Sequence, residues 1–272
     1  MRMYKIFDMH THNYPAAIVE KAVKNLEKFY SFVAEGDGTA EQMRADGHAE
    51  GLAGFLVLGV ATNPRQVRHV NEFCASVISD AKKEGFKAYG FMGLHQDCAD
   101  MQEQIEYGLS LGLSGIKIHP DIQGVNIDDR RLYPAYEIMQ ERDLPICFHM
   151  GDRRPEYNFS ATERLVRIHK DFPHLRTIAA HLGGYTVYDE GAQLLSRCEN
   201  VWVDTSSALW IISPEHAGRL ISEFGHDRVF FGTDYPVKRL NTELEYFMKI
   251  KLNETQREDI LYNNAAEFLG IE

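Results

Sequence analysis

A chain of 272 residues, 44% hydrophobic and 25% charged, holds enough apolar material for one large core and shows no bias towards disorder. Its formal charge of −11 argues against nucleic acid or an anionic membrane as partner, since both are bound through basic surfaces, and leaves small molecules as the expected ligands. No apolar stretch approaches the roughly 20 residues that span a bilayer, and residues 1–12 lack the apolar centre of a signal peptide, so a cytoplasmic protein is expected.

Eight short apolar runs of β type recur along the chain, at about 4–9, 53–60, 86–94, 114–119, 144–149, 175–181, 200–204 and 228–233. Amphipathic stretches such as 97–112, 130–142, 160–172 and 213–224 separate them. Eight strands alternating with helices predict a closed (β/α)8 barrel of α/β class, for which roughly 250 residues is typical. A doubly wound sheet is the alternative, but the glycine-rich GxGxxG turn is missing after the first run. The first run ends in Asp8-Met-His-Thr-His12, where residues 10 and 12 share a strand face. Residues 13–52 then form a loop and helix excursion over the barrel mouth. Its helix opens at Thr39-Ala-Glu-Gln42, which has the spacing of a capping box. No linker or repeat divides the sequence, and residues 1–272 are read as a single domain.

Three later runs end in the same manner, at His149, His181 and Asp234. In a parallel barrel such strand ends share one mouth, where active sites are built. His10, His12, His149, His181 and Asp234 would therefore all reach that mouth, and such groups delivered to one rim point to a metal site. Imidazole and carboxylate suit Zn²⁺, and also Mn²⁺ or Fe²⁺. Bound zinc lowers the pKa of water from 15.7 to roughly 7, which makes a nucleophile available at neutral pH. Lys117 shares a face with His119 on the fourth run. An inward ammonium there needs a partner: it pairs with a carboxylate such as Asp204, lies near the substrate, or is chemically altered. His119 either lines the pocket or is a satisfied core histidine. Asp204 has both a capping and a catalytic reading, and Asp8 is expected to orient either the first strand or a ligand histidine. Arg153 and Arg154, with Lys238 and Arg239, place cations beyond two of the runs and suit a carboxylate-bearing substrate. Tyr14, Tyr157, Tyr185, Tyr235 and Trp210 would supply an apolar wall. Cys74, Cys98, Cys147 and Cys198 lack CxxC spacing and read as reduced thiols.

Taken in order, Asp8-Met-His-Thr-His12, Gly115-Ile-Lys-Ile-His-Pro120, His149-Met-Gly, His181-Leu-Gly-Gly and Gly232-Thr-Asp-Tyr-Pro236 resemble the amidohydrolase superfamily, in particular its amidohydrolase-2 branch, over nearly the whole chain. The resemblance implies a (β/α)8 barrel and a metal-dependent enzyme. It implies His10, His12, His149 and Asp234 as metal ligands, Asp234 and His181 as the catalytic pair, and one divalent ion. A second metal would recruit His181, Lys117 as a carbamate, or His119. The expected reaction is hydrolysis of an amide, lactone or ester by metal-activated water. Non-oxidative decarboxylation on the same site is the alternative, and a non-catalytic ligand-binding barrel is a third reading. Arg153, Arg154 and Tyr235 are the expected substrate contacts, and a homodimer is compatible with a barrel of this kind.

Overall fold

The computed structural model describes residues 4–271. Eight parallel strands stand in the order β1 to β8. They are β1 (Ile6–Thr11), β2 (Leu52–Leu58), β3 (Lys87–Gly93), β4 (Ile116–Ile118), β5 (Ile146–Phe148), β6 (Thr177–Ala179), β7 (Val201–Asp204) and β8 (Val229–Phe230). The seam between the last and first strands is closed by backbone bonds from Met9 N to Phe231 O (2.9 Å), Asp234 N to His10 O (2.9 Å) and His12 N to Tyr235 O (2.8 Å). Three proposed site residues are thus placed by one short ladder. Two helices, α1 (Val19–Tyr30) and α2 (Ala40–Glu50), precede β2. Beyond it come α3 (Val67–Lys83), α4 (Met101–Ser110), the single turn α5 (Pro120–Gln123), α6 (Tyr133–Glu141), α7 (Thr162–Asp171), α8 (Tyr188–Leu195), α9 (Pro214–Phe224) and α10 (Leu240–Met248). The chain closes with α11 (Glu254–Glu258) and α12 (Asn264–Leu269). No helix among the described residues is long and apolar enough to cross a membrane.

Strands buried on both faces read as continuous apolar runs, which is why they stand out in the sequence. Their outward residues, such as Val57, Ile116, Ile118 and Val203, pack under the helices. The inward ones, including Phe7, Met9, Leu56, Phe91, Cys147, Ile178 and Phe230, fill the barrel. Phe268 of α12 closes the lower end against Trp202 (4.9 Å between ring centroids) and Phe230 (5.2 Å).

Behind the β1–β8 seam, Glu243 of α10 is fully buried, and neither carboxyl oxygen has a hydrogen-bond partner among the described residues. Burial, with the Asp8 charge adding to it, pushes its pKa well above 4.5. The folded chain therefore keeps a proton that the unfolded chain loses, and stability falls as pH rises above about 4.5. Glu243→Gln should remove that slope, so that urea midpoints at pH 5 and pH 8 lie closer together than in the wild type. An unchanged slope would mean that Glu243 is ionised in the fold.

Candidate metal centre and cavity

His10 and His12 both reach the mouth because β1 carries a bulge. Asp8 pairs with Phe55 and Thr11 with Val57, so β1 spends one residue more than β2 between the two pairs. Alternation therefore shifts: Met9 joins the interior cluster, and His10 directly above it also turns inward. Gly232 leaves the room, since a Cβ there would stand 2.9 Å from the His10 Cβ. His181 follows the inward Ala180 and would point out of a regular strand, but left-handed backbone (φ 61°) turns it back. Asp234 has the same conformation (φ 58°). Such backbone costs a non-glycine residue of order 1–3 kcal/mol and is kept where a site requires it.

Three groups meet at the floor. His10 Nδ1 donates to Asp204 Oδ2 (2.9 Å) and His12 Nδ1 to Leu58 O (2.9 Å), which leaves both Nε2 atoms as lone-pair acceptors. These nitrogens face each other at 3.2 Å, with Asp234 Oδ1 3.5 and 3.6 Å away. Burial, reinforced by His10, lowers the His12 pKa to about 3, so His12 brings no proton to separate them. Three electron-rich atoms at these spacings fit a cation: ligands 2.0–2.2 Å from a tetrahedral ion stand about 3.3–3.6 Å apart. Burial raises the Asp234 carboxyl, but His10, His181, His12 and the Ser207 hydroxyl (2.6 Å) outweigh it and hold the pKa at about 2. Asp204 is also held well below the carboxylate range. Burial opposes this, but the electrostatic pull and hydrogen bond of His10, with His181 and Ser206, prevail. Asp204→Asn should weaken metal binding about 10- to 100-fold by titration calorimetry, because the orienting acceptor of His10 loses its charge. Unchanged affinity would remove Asp204 from the site.

A second cluster stands beside the first. His149 lies with His119 and Asp121, not within the His10, His12 and Asp234 triangle. The His119 and His149 rings are stacked at 4.0 Å and 9°, so their lone pairs run parallel and do not converge on one ion. They share the Tyr30 hydroxyl instead, 2.8 Å from His119 Nε2 and 3.2 Å from His149 Nε2. The hydrogens can be ordered along this row. Ile122 N–H donates to His119 Nδ1 (3.3 Å), so His119 Nε2–H donates to Tyr30, whose hydroxyl donates to His149 Nε2. At the other end His181 Nδ1 lies 3.0 Å from Ser206 O, so His181 Nε2 accepts from His149 Nδ1–H (2.9 Å). Burial, helped by neighbouring positive groups, holds His119 and His149 well below 6.5 and, despite Asp234, takes His181 to about 4. The row is neutral at pH 7.

Above the floor lies a cavity of about 610 Å³. One wall is α1, which contributes Ala22, Leu26, Phe29 and Tyr30, with Ile18 just before it; the other includes Leu58, Val60, Val70 and Phe73. Helix α1 has no fully buried residue. It is held by Arg154, which donates to Phe29 O (2.5 Å) and lies over the Phe29, Tyr30 and Tyr157 rings. Asp152 takes the rest of that guanidinium (2.6 Å).

The cavity lining includes His10, His12, Lys117, His119, His149, His181 and Asp234. It does not include Arg153, Arg154 or Tyr235, the substrate contacts expected from the sequence. Arg153 is bound to Thr186 (2.9 Å), Arg154 is committed to Asp152 and α1, and the Tyr235 hydroxyl is buried on Asp37, Thr39 and Gln42. Lys238 and Arg239 are likewise paired, with Glu35 and Asp46. Lys117 does not pair with Asp204, whose oxygens serve His10, Ser206 and the His181 N–H. Thr39 caps α2 by accepting from Gln42 N (3.1 Å), but the Gln42 side chain goes to Asp37 N, so the reciprocal half of the capping box is absent. His95 sits outside the cavity and accepts from Asp97 N (3.2 Å). Tyr30, Asp121 and His69, which stands at the cavity rim, carry no signal in the sequence.

These features define a class: a (β/α)8 barrel with histidine and aspartate at metal-ligand spacing on its C-terminal mouth. The chain belongs to the amidohydrolase family, whose model matches residues 7–271. It is 26% identical over 242 residues to 2-amino-3-carboxymuconate-6-semialdehyde decarboxylase of Dictyostelium discoideum, a match covering 75% of this chain and 66%, just under two thirds, of that protein. Among solved structures it resembles an uncharacterised TIM-barrel protein from Bordetella bronchiseptica (23% identity, TM-score 0.78, 98% of each chain). It also resembles a dihydroxybenzoic acid decarboxylase from Polaromonas with bound manganese and the inhibitor 2-nitroresorcinol (16% identity, TM-score 0.72, 99% of this chain and 98% of that one).

Proposed function

We propose that this protein is a metal-dependent, non-oxidative decarboxylase of a small carboxylic acid with a conjugated, oxygen-bearing framework. The observation that carries the reading is the cavity itself. A largely apolar chamber stands over a metal-ligand triangle, and Asp234 is the only carboxylate in its lining among the described residues. The decarboxylase names of two similar proteins support carbon–carbon cleavage over the hydrolysis that the motifs first suggest. Both reactions would use the same floor.

His10, His12 and Asp234 would hold one divalent ion, with His149 joining them if Tyr30 releases its Nε2. Zinc and manganese both suit the donor set, and manganese occurs in the Polaromonas protein. When bound, the ion supplies positive charge that draws electron density from the reacting framework. The net reaction is RCOO⁻ + H⁺ → RH + CO₂: the bond to the carboxylate breaks, its electron pair stays on the ring or enolate, and that carbon takes a proton. Asp234, ionised at neutral pH, can collect a proton and deliver it there. His181 is a poor donor in this state, because its Nδ1–H serves Ser206 O and its Nε2 accepts from His149. It orients the row instead. The apolar walls exclude water, which strengthens the electrostatic interactions at the floor.

The test is a panel of hydroxybenzoic and enol carboxylic acids offered to zinc- and manganese-reconstituted protein, with CO₂ read directly. Metal-dependent CO₂ release from at least one acid supports the reading. Hydrolysis of amides or lactones with no CO₂ from any acid overturns it.

A further inference from the structure

Lys117 is buried to 1% exposure at the cavity floor. Its Nζ lies 3.3 Å from His10 Nε2 and 3.5 Å from Cys147 Sγ, and no carboxylate among the described residues comes within 4.0 Å of it. Asp204 is consumed by His10 and its neighbours. Asp234, the one carboxylate of the lining, faces the two histidines and Ser207. A buried ammonium without a counter-charge costs several kcal/mol. The floor is built to receive an anion from the cavity.

The departing carboxylate is a poor match for that role. It loses its charge as CO₂ forms, so an ammonium gripping it would favour the substrate over the transition state. The group that gains charge is the oxygen conjugated to the breaking bond, and a preorganised donor aimed at it accelerates the step. We propose that Lys117 is an oxyanion-stabilising catalytic residue. Its Nζ–H donates to a carbonyl oxygen of the substrate, which in a hydroxyaryl acid is the ring ketone formed when Asp234 protonates the carboxylated carbon; the carbon–carbon electron pair is delocalised onto that oxygen as CO₂ leaves, and where an enolate results its carbon is then protonated from Asp234. The substrate class narrows accordingly to carboxylic acids with an oxygen conjugated to the carboxylated carbon. This rests on the decarboxylase reading for its chemistry, but its test does not need turnover.

The probes are 4-nitrophenolate, nitrobenzene and benzoate, titrated into metal-loaded wild type, Lys117→Gln and Lys117→Arg, with metal content and melting temperature checked in each. Lys117→Gln should bind 4-nitrophenolate at least about tenfold more weakly with nitrobenzene affinity unchanged, Lys117→Arg should recover most of the loss, and the bound phenolate absorbance should shift between wild type and Lys117→Gln. Three results overturn the proposal: equal phenolate affinity in wild type and Lys117→Gln, or none in either; a loss confined to benzoate, which would make Lys117 a carboxylate anchor; and loss of the metal itself in both variants, which would make it a carbamate ligand. If the phenolate effect appears but no acid yields CO₂, the lysine assignment stands and decarboxylation falls. If CO₂ is released with no phenolate effect, decarboxylation stands and the lysine assignment falls.

Discussion

Asp234→Asn should lower the turnover of CO₂ release by at least about 10³-fold while the fold and the bound metal persist. The substitution keeps the shape of the side chain, and its amide oxygen can still face His10 and His12 or accept from Ser207. It removes the charge and the proton-carrying capacity. No other carboxylate among the described residues lines the cavity, and His181 has both ring nitrogens committed, so neither a second carboxylate nor His181 can take over the proton. His181→Asn should cost less, about 10²-fold, because it disturbs the row that leads to His149 without removing the proton carrier. Turnover of Asp234→Asn within tenfold of wild type, at equal metal content, would refute the assignment.

Stripping the metal should abolish turnover and also lower stability. A ligand that binds only the folded state contributes RT ln(1 + [L]/Kd), about 4 kcal/mol at a thousandfold excess over Kd. Dialysis against a chelator should therefore lower the melting temperature by several degrees, with recovery on adding Zn²⁺ or Mn²⁺. His12→Ala should lose both the metal and the metal-dependent shift, because one corner of the 3.2, 3.5 and 3.6 Å triangle is gone. Full metal content in His12→Ala would show that the ion does not need this corner and would overturn the triangle as its seat.

The barrel was legible because parallel strands buried on both faces leave continuous apolar runs, even where β4, β5 and β6 are three residues long and β8 is two. Strand-end chemistry was legible for the same reason: a polar residue at the end of such a run can only be at a mouth. How each residue gets there was not. Simple alternation puts His10 and His12 together but ignores the bulge that turns Met9 and His10 inward in succession. It would also turn His181 away, and the left-handed backbone that corrects this leaves no mark in composition. Asp204 read equally well as a cap, because its partner His10 lies 194 positions away. Tyr30 was invisible, since its contacts with His119 and His149 depend on how α1 settles across the mouth. The cations beyond the strands misled for a local reason: Asp152, two residues before Arg154, already answers its charge.

The most direct test of the account uses the best acid from the substrate panel and metal-loaded protein in D₂O, with a parallel reaction in H₂¹⁸O. Each turnover should release one CO₂ and leave one deuterium on the carbon that lost it, with no ¹⁸O in the organic product. Incorporation of ¹⁸O into that product without CO₂ would contradict decarboxylation and return the site to hydrolysis.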